Sequence, residues 1–450
     1  MAVHKTEELI EWIQELNRTT KVVIQKISLS DSDFWYYDKN RGVICNKNNS
    51  FFEIAGIKQT KGDGVIASQP IIIQDEIGYL GIICKDFDGE LHYLMQAKIE
   101  PGNINKIQIS PTVQATKSNF MQKHGGKRPN YIDYFINSDK YEIIADQIQS
   151  EQSSRFYKKR NRNTIIKISE DIEVLNNYRW MTLAQIKVLM KIDNLVNMDT
   201  RTVLSCLPLF GIKNESSVLG QYYGKFTDEF LRNSIVASDK DLAKNESFIR
   251  IYNYINDYKM FNEKRTVFES LFDLKNWNMR GNEFVCSEPY SFKLIFCDIE
   301  IEGREVKRWT QPLFEATGIA VFGLFTCIDN GVRKFLVKAK AEIGCFDGIE
   351  IGPCVQREFV NNEKYTYVDE LFDLYIKTNR NIKFDTLLSE EGGRFYHEQN
   401  RNIIIEVAKA ELGSLPKGYF WVDYKTLNMI GQINNCLNIQ LRNLMSILEW

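Results

Sequence analysis

Two neighbouring stretches of the N-terminal half combine the residue types that general acid–base chemistry requires. In ELHYLMQAKIE (90–100) and in residues 107–116, polar and apolar side chains alternate, which predicts strands with two distinct faces. If the strands pair through the short PGNINK connection, one face carries six polar side chains: Gln96, Lys98, Glu100, Ser110, Thr112 and Gln114. A carboxylate beside an ammonium group can move a proton and stabilise a developing negative charge. We therefore predict a pocket on this face; a solvated sheet face or a structural Lys98–Glu100 ion pair would leave the same pattern.

The same pattern returns in the C-terminal half, so the chain carries one module twice. QAKIEPGN (96–103) is repeated as KAKAEIGC (338–345), and SPTVQ (110–114) is repeated as GPCVQ (352–356). The second copy keeps a lysine, a glutamate and a glutamine at matching positions: Lys340, Glu342 and Gln356. The period is too long for a solenoid repeat, and it predicts a duplicated domain.

A second repeated element, Arg-Phe-Tyr, lies beside several cations. EQSSRFYKKRNRN (151–163) is repeated as EEGGRFYHEQNRN (390–402). Both copies keep two arginines and the tyrosine: Arg155, Tyr157 and Arg162 in the first, and Arg394, Tyr396 and Arg401 in the second. Guanidinium groups bind phosphate oxygens through paired hydrogen bonds, so the element is a candidate diphosphate site. A basic, solvent-facing helix start is the alternative for residues 158–160.

Several common reaction centres are missing from the sequence. The four histidines, His4, His92, His124 and His397, lack partners at metal-ligand spacing, so we expect no metal site. His124, in KHGGKR, could contact a ligand or simply be exposed. Residues 62–67 fit GxGxxA, but no buried strand precedes them and Pro70 follows, which argues against a dinucleotide site. The sequence has no P-loop and no GxSxG motif.

Composition narrows the class of protein. Among 450 residues, 57 Lys and Arg face 59 Asp and Glu, giving a net charge of −2. This balance argues against nucleic acid or an anionic membrane as the main partner. Nine scattered cysteines indicate free thiols in a reducing compartment. The N-terminus lacks a signal-peptide pattern, and no apolar run reaches the roughly 18 residues of a membrane span. We expect a cytoplasmic protein.

The elements that would position these residues recur in each copy. An amphipathic helix opens each copy, with Leu9 and Ile13 on its apolar face in the first and Ile251 and Ile255 in the second. Strands are predicted in the first copy at 51–58, 70–84, 91–100 and 107–116. The pattern predicts an α+β fold with mixed or antiparallel sheets and flanking helices. We predict three segments: an N-terminal copy at 1–211, a linker at 212–244 and a C-terminal copy at 245–450.

In QAKIEPGN, SPTVQATKSN and the duplicated SQP and RFY elements, the chain resembles the NDP-hexose 2,3-dehydratase family along nearly its whole length. The resemblance implies two tandem Nudix-like modules without the REx₂EE metal-binding helix of Nudix hydrolases, assembled as a homodimer. It implies a dTDP-linked 4-keto-6-deoxyglucose as substrate, no cofactor, and a 3-ketoreductase that consumes the product. It also implies that one pocket is catalytic and the other a relic.

Divergence between the copies points to the N-terminal pocket as the active one. The second copy departs from the motif at three positions, with Ile343, Cys345 and Cys354 in place of Pro101, Asn103 and Thr112. The segment HGGKRPNYIDYF (124–135) also has only a weak counterpart in the second copy.

The implied reaction assigns a role to each candidate. The C4 ketone acidifies the C3 hydrogen and the C2 hydroxyl then leaves, which requires a base, a donor to the enolate oxygen and help for the departing hydroxide. We expect Glu100 as general base or acid, Lys98 as electrostatic stabiliser and Tyr157 as a second proton donor. The predicted substrate-binding residues are Gln96, Asn103, Ser110, Thr112, Gln114, His124, Arg155, Arg162 and Trp35, the last with a core role as its alternative. The predicted second pocket contains Lys340, Glu342, Gln356, Arg394, Tyr396 and Arg401.

Two other functions stay open from the sequence. A diverged Nudix hydrolase would release nucleoside monophosphate in the presence of Mg²⁺. A non-catalytic nucleotide-sugar binding protein would bind its ligand without turnover. The nucleotide (dTDP, GDP, UDP or CDP) and the final sugar of the pathway also stay open.

Overall fold

The computed structural model describes residues 2–121, 128–209, 230, 232, 234, 238, 246–302, 306–360 and 364–447. His124 and nearly all of the predicted linker at 212–244 lie outside the described residues. Over the described ranges the chain is an α+β protein, mostly sheet with flanking helices, which confirms the predicted fold class and the duplication. The likeness to Nudix proteins and the exact segment boundaries stay predictions.

The N-terminal copy opens with a helix and continues mainly as strands. Its described helices are α1 (Thr6–Thr19), α2 (Lys117–Phe120), α3 (Ile132–Ile136), α4 (Leu183–Met190) and α5 (Met198–Ser205), with 3₁₀ turns at Leu29–Asp31 and Ser138–Lys140. Its strands are β1 (Val22–Ile27), β2 (Trp35–Asp38), β3 (Val43–Asn46), β4 (Glu53–Lys61), β5 (Gly64–Ile73), β6 (Gly78–Phe87), β7 (Glu90–Ile99), β8 (Ile107–Ser110), β9 (Val113–Ala115), β10 (Glu142–Ser150), β11 (Phe156–Tyr157), β12 (Arg160–Ile168) and β13 (Tyr178–Thr182).

The C-terminal copy follows the same plan. Its described helices are α6 (Glu246–Phe261), α7 (Tyr367–Lys377), α8 (Tyr424–Gly431) and α9 (Ile439–Ser446), with 3₁₀ turns at Leu271–Asp273 and Lys409–Leu412. Its strands are β14 (Lys264–Glu269), β15 (Trp277–Arg280), β16 (Glu283–Cys286), β17 (Phe292–Ile301), β18 (Arg308–Ala316), β19 (Ala320–Asp329), β20 (Val332–Lys340), β21 (Glu350–Pro353), β22 (Val355–Arg357), β23 (Ile382–Ser389), β24 (Phe395–Tyr396), β25 (Gln399–Glu406) and β26 (Tyr419–Asp423).

Each copy has one large mixed sheet with the same strand order. In the N-terminal copy the order is β10-β12-β6-β7-β13, with β8 beside β7 and β9 beside β6. The C-terminal copy repeats this order as β23-β25-β19-β20-β26, with β21 beside β20 and β22 beside β19. In both sheets one central pair is parallel, β12 with β6 and β25 with β19.

The two smaller sheets each receive a strand from the other copy. β1 pairs antiparallel with β17, from Val22 opposite Ile301 to Ile27 opposite Phe296. In the reciprocal exchange, β14 pairs antiparallel with β4. Because neither small sheet is complete within its own copy, the two copies are interlocked.

One apolar cluster runs through both copies and covers the large sheets. The opening helices face it as predicted, with Leu9 and Ile13 of α1 and Ile251 and Ile255 of α6 all buried in this cluster. Within the described ranges, no helix has both the length and the apolar character that a membrane crossing requires.

The prediction of one continuous strand at 70–84 is wrong. The chain leaves β5 at Ile73 and enters β6 at Gly78, and these strands belong to different sheets. The break falls at Gln74, Asp75 and Glu76, a polar stretch between the two apolar strands, where the chain passes from one sheet to the other.

Candidate active site

The predicted polar face forms at the end of β7. Strands β7 and β8 pair antiparallel, with Gln96 opposite Ser110. Lys98 Nζ donates a hydrogen bond to Glu100 Oε1 at 2.9 Å, and Gln114 Nε2 donates to the same oxygen at 3.1 Å. These two donors fix the buried Glu100 carboxylate and stabilise its ionised form. We call the site around Glu100 the N-terminal pocket.

The turn after Glu100 is held by the Arg-Phe-Tyr loop of the other copy. Gly102 N donates to Gly392 O at 2.7 Å, and His397 N donates to Gly102 O at 2.9 Å. A β-carbon on Gly102 would lie 1.6 Å from Phe395 O, so only glycine allows this approach. The N-terminal pocket is therefore built from both copies.

This loop brings a second carboxylate, Glu391, to the pocket. A β-carbon at Gly393 would lie 2.4 Å from Glu391 Oε1 and 3.5 Å from Glu100 Oε2, so Gly393 leaves room for both carboxylates. Burial, followed by the negative charge of Glu100, raises the pKa of Glu391 to about 7, although Arg394 acts in the opposite direction. Glu391 can thus hold a proton near neutral pH beside a base.

A third carboxyl group, Asp199, lies at the start of α5. Its helix is capped by Asn197, whose Oδ1 accepts from Thr200 N at 2.8 Å and whose Nδ2 donates to Ser110 Oγ at 2.9 Å. Asp199 is 2% exposed, and its Oδ2 has no hydrogen-bond partner among the described residues. Burial, followed by the charges of neighbouring carboxylates with Glu391 first, raises the pKa of Asp199 well above its usual value.

Two cations accompany these carboxyl groups. Arg394 donates from Nη2 to Gln74 Oε1 at 3.2 Å, and its guanidinium lies 4.1 Å from the centre of the Phe52 ring. Lys159 is buried and donates to Glu76 O. Burial lowers the pKa of Lys159 to about 8, while Glu151 opposes this shift. Both cations could meet an anionic group of a ligand.

The C-terminal copy builds a corresponding pocket, which we call the C-terminal pocket. Gln356 Nε2 donates to Glu342 Oε1 at 2.9 Å, which repeats the Gln114–Glu100 contact. Lys340 lies opposite Glu350 in the β20–β21 pair. Gly344 N donates to Ser153 O at 2.9 Å, so the turn of this copy contacts the loop of the first.

The two pockets differ in their acids. The loop sequences EQSS (151–154) and EEGG (390–393) place Gln152 where the N-terminal pocket has Glu391. The second residue of α9 is Gln440, where the second residue of α5 is Asp199. Both glutamines are buried. The N-terminal pocket thus has two carboxyl groups that the C-terminal pocket replaces with amides.

Comparison with known proteins agrees with the duplicated architecture. The family model described as NDP-hexose 2,3-dehydratase matches residues 6–207 and again residues 248–448. The chain belongs to the NDP-hexose 2,3-dehydratase family. The predicted family and the prediction of an enzyme are thereby confirmed, and the match supports the dehydratase interpretation over the hydrolase.

Curated relatives span almost the whole chain. A Saccharopolyspora spinosa protein is 34% identical over 449 residues, covering 99% of this chain and 91% of the relative. An Amycolatopsis orientalis protein is 32% identical, covering 99% and 90%. A Streptomyces violaceoruber protein is 34% identical, covering 99% and 97%. Each is named dTDP-4-dehydro-6-deoxy-alpha-D-glucopyranose 2,3-dehydratase.

Each Arg-Phe-Tyr arginine lies against the other copy and not against its own. Arg155 packs against the C-terminal copy, and Arg394 packs against the N-terminal copy. Arg155 is 2% exposed and lies 3.1 Å from Glu358 and 3.9 Å from Glu398, with its guanidinium 4.0 Å from the centre of the Phe292 ring. All three partners belong to the C-terminal copy. The structure brings Arg394, not Arg155, to the carboxylates of the N-terminal pocket.

The other predicted loop residues also have protein partners. Arg162 pairs with Asp146 through two hydrogen bonds of 2.7 and 2.6 Å, and Arg401 pairs with Asp385 in the same way at 2.8 and 2.6 Å. The Tyr157 ring packs edge-on against Phe268 at 4.8 Å. Tyr396 stacks on His397 at 4.1 Å. The structure does not place these four side chains in contact with Glu100.

Three predicted binding residues have structural roles in the sheet and turn. Thr112 Oγ1 accepts from Ile83 N at 3.0 Å and donates to Leu94 O, so its hydroxyl is occupied by backbone. Asn103 Nδ2 donates to Lys106 O at 2.8 Å within the turn. Trp35 is buried, with its ring 4.7 Å from Phe52, which matches the core alternative for this tryptophan.

Glu391 and Asp199 were missed by the sequence reasoning. Both lie far along the chain from Glu100, and neither belongs to a strand that alternates. The sequence does contain a signal for them, because the other copy has a glutamine at each matching position: Gln152 corresponds to Glu391, and Gln440 corresponds to Asp199. Differences between copies can therefore mark chemistry as well as similarities.

Proposed function

We propose that this chain removes water from a dTDP-linked 4-keto-6-deoxyhexose, using the N-terminal pocket, and gives a 3,4-diketo-2,6-dideoxy sugar. The observation that carries the proposal is the Glu100 carboxylate, fixed by Lys98 and Gln114 at the end of β7. The family match and the printed names of the relatives support the substrate and the reaction.

The elimination needs no change of oxidation state overall. A base removes the C3 proton, and the electron pair of that C–H bond delocalises onto the C4 oxygen. The enolate pair then forms the C2=C3 double bond and the C4 carbonyl is restored, while the C2–O bond breaks with its electron pair on the hydroxyl oxygen and a proton from an acid completes the water molecule. The resulting enol becomes the 3-ketone while C2 gains a proton from solvent.

Glu100 is the proposed base. Its ionised form accepts two hydrogen bonds, which orient one oxygen and leave Oε2 facing Gly393 and Glu391. Lys98, beside it, is the proposed electrostatic stabiliser of the enolate. Gln96 and Ser110, opposite each other on the paired strands, are proposed to bind sugar hydroxyls.

The diphosphate requires cations that are not held in a direct ion pair, and the described hydrogen bonds of the Arg394 and Lys159 side chains go to amide and backbone oxygens. Arg155 and Arg162 are paired with Glu358 and Asp146. We therefore propose that Arg394 and Lys159 meet the diphosphate instead, because both lie at the carboxyl cluster of the N-terminal pocket.

The test is incubation with dTDP-4-keto-6-deoxyglucose in deuterated water, followed by NMR and mass spectrometry. We expect loss of one water and deuterium at C2 of the product. Glu100→Gln should slow water loss by about 100-fold or more, because a general base contributes that much. Glu342→Gln, the matched change in the C-terminal pocket, should retain activity. Release of dTMP that depends on Mg²⁺ would favour the hydrolase.

Three further proposals follow from the family resemblance. A 3-ketoreductase would consume the labile diketone, the enzyme would act in the cytoplasm, and two chains would form a homodimer. Light scattering on the purified protein tests the last, since a mass of one chain would exclude the dimer. A coupled assay with a ketoreductase tests the first through the stable reduced sugar.

A further inference from the structure

We propose that Glu391, supplied by the C-terminal copy, is the catalytic acid that protonates the departing C2 hydroxyl in the N-terminal pocket. The inference deepens the proposed function and rests on it. It adds a catalytic residue that lies outside the polar face of β7, β8 and β9.

The position of Glu391 fits an acid that works opposite Glu100. Gly393 lies between the two carboxylates, and a β-carbon there would lie 3.5 Å from Glu100 Oε2 and 2.4 Å from Glu391 Oε1. The first copy has Ser154 at the position of Gly393. Glycine at 393 thus lets the backbone of the loop approach both carboxylates, which places the proposed acid beside the proposed base.

The two pockets share the residues that build the strand face and the turn, and they differ at the positions of Glu391 and Asp199. Both pockets keep the lysine, glutamate and glutamine of the strand face, and both keep the turn-to-loop hydrogen bonds. At the position of Glu391 the C-terminal pocket has Gln152, and at that of Asp199 it has Gln440. An amide preserves size and hydrogen bonding but does not deliver a proton at neutral pH. The N-terminal pocket therefore has a carboxyl at both of these positions, whereas the buried carboxyl of the C-terminal pocket, Glu350, lies elsewhere, on the strand beside Lys340 where the first copy has Gln108.

The charges around Glu391 favour a protonated group beside an ionised one. Glu100, Glu151 and Asp199 surround it with negative or ionisable groups, while Lys98, Arg394 and Lys159 supply positive charge. Because Lys98 and Gln114 both donate to Glu100, the proton of the pair belongs on Glu391. Two carboxyl groups with different environments thereby divide the roles of base and acid.

Asp199 completes the arrangement as a positioning residue. It is buried, its Oδ2 has no hydrogen-bond partner within the described ranges, and burial together with the charge of Glu391 favours its protonated form. A neutral Asp199 adds no further negative charge to the surroundings of Glu391 and can return a proton to it after turnover. It acts through Glu391 and does not itself contact the sugar in this proposal.

In the proposed step, every proton and electron pair has a destination. Glu100 takes the C3 proton, and the electron pair of that bond enters the enolate. The enolate then restores the C4 carbonyl and its C3=C4 pair becomes the C2=C3 double bond, while the C2–O bond breaks with its electron pair on oxygen. The Glu391 O–H bond breaks as its proton joins that oxygen to form water. Glu391 is left as a carboxylate and regains a proton from Asp199 or solvent.

The deciding experiment separates proton removal from water loss in Glu391→Gln. Glutamine already occupies the matching position at Gln152, so the fold tolerates it there. With dTDP-4-keto-6-deoxyglucose in deuterated water, the variant should still exchange the C3 hydrogen of the substrate, while water loss falls by about 100-fold or more. Water loss at the wild-type rate would overturn the proposal, and so would loss of both C3 exchange and water loss in a folded variant.

A second substrate keeps the test informative. The 2-deoxy-2-fluoro analogue loses fluoride, a leaving group that does not need protonation. Glu391→Gln should release fluoride near the wild-type rate, whereas Glu100→Gln should not, because the C3 proton must leave in both cases. Impaired fluoride release by Glu391→Gln would contradict its role as acid. Failure of the wild-type enzyme to eliminate water from the dTDP-sugar would instead reject the proposed function itself.

Discussion

At the scale of the residue, the chemistry depends on carboxyl groups that have different affinities for a proton. Glu100 accepts hydrogen bonds from an ammonium and an amide, whereas burial and the neighbouring carboxylate raise the pKa of Glu391 to about 7. A base and an acid can thus coexist in one site near neutral pH. The same side chain type serves both roles because its surroundings differ.

This difference predicts the pH dependence of water loss. A raised pKa means that Glu391 holds its proton below about pH 7 and loses it above, so kcat for water loss should decline as the pH rises through about 7. The measurement is kcat between pH 5.5 and 8.5, with C3 exchange by Glu391→Gln as the control. That exchange should lack the decline, because the variant has no proton to lose at this position. A wild-type kcat that keeps rising across the range would contradict the assignment.

Part of the site could be predicted from the sequence, since strand alternation is a local property. Lys98 and Gln114 both reach Glu100, and Gln96 lies opposite Ser110, although Gln114 comes from β9, which pairs with β6 and not with β7. The sequence does not predict where Arg155 lies, because its loop crosses to the other copy and Arg155 pairs with Glu358 there. No local sequence pattern reveals such a crossing. A residue can therefore belong to one copy and contribute to the pocket of the other.

At the scale of the element, helices α5 and α9 connect the two pockets to the core. Asn197 caps α5 and donates to Ser110 Oγ, and Asn438 caps α9 and donates to Gln356 Oε1. Arg201 of α5 donates to Asn443 of α9, and Arg442 of α9 donates to Thr202 of α5. The two helices thus hold each other and their own pockets in register.

Matched cap substitutions should separate stability from catalysis. Asn197→Ala and Asn438→Ala should each lower the free energy of unfolding by about 1 kcal/mol, because each removes a side-chain cap. Only Asn197→Ala should also lower kcat, because α5 carries Asp199 and its cap contacts Ser110. Urea unfolding and steady-state kinetics of both variants check this. Equal losses of kcat would show that the two pockets contribute equally or that the effect is purely structural.

The elements themselves were partly predictable. The opening helices and the β7–β8 pair follow from apolar periodicity, and both are present. The break between β5 and β6 is marked in the sequence by Gln74, Asp75 and Glu76, and the prediction of one strand at 70–84 passed over these polar residues. The exchange of β1 and β14 could not be predicted from the sequence. A strand forms the same backbone hydrogen bonds whether it pairs with a strand of its own copy or with one of the other copy.

At the scale of the whole molecule, each of the two copies depends on the other for its structure. The exchanged strands complete each other's sheets, and one apolar cluster contains Ile13 of the first copy together with Ile255 and Ile299 of the second. The N-terminal pocket also takes Glu391 and Arg394 from the C-terminal copy. The C-terminal copy therefore has a role in the N-terminal pocket through its loop at 390–394, whatever the activity of its own pocket.

This interlocking predicts how the chain behaves when it is divided within residues 212–244. Each half expressed alone should aggregate or fail to unfold cooperatively, because it exposes an unpaired strand position and part of the shared core. Coexpressed halves should associate and recover water loss, since the exchanged strands and the Glu391 loop regain their partners. Copurification, thermal unfolding and activity of the reassembled complex measure this. A Glu391→Gln change in the C-terminal half should slow water loss in that complex by about 100-fold or more, whereas Gln152→Asn in the N-terminal half should leave it unchanged. Stable, cooperatively folded single halves would show that the copies are independent domains and that the exchange of strands is dispensable.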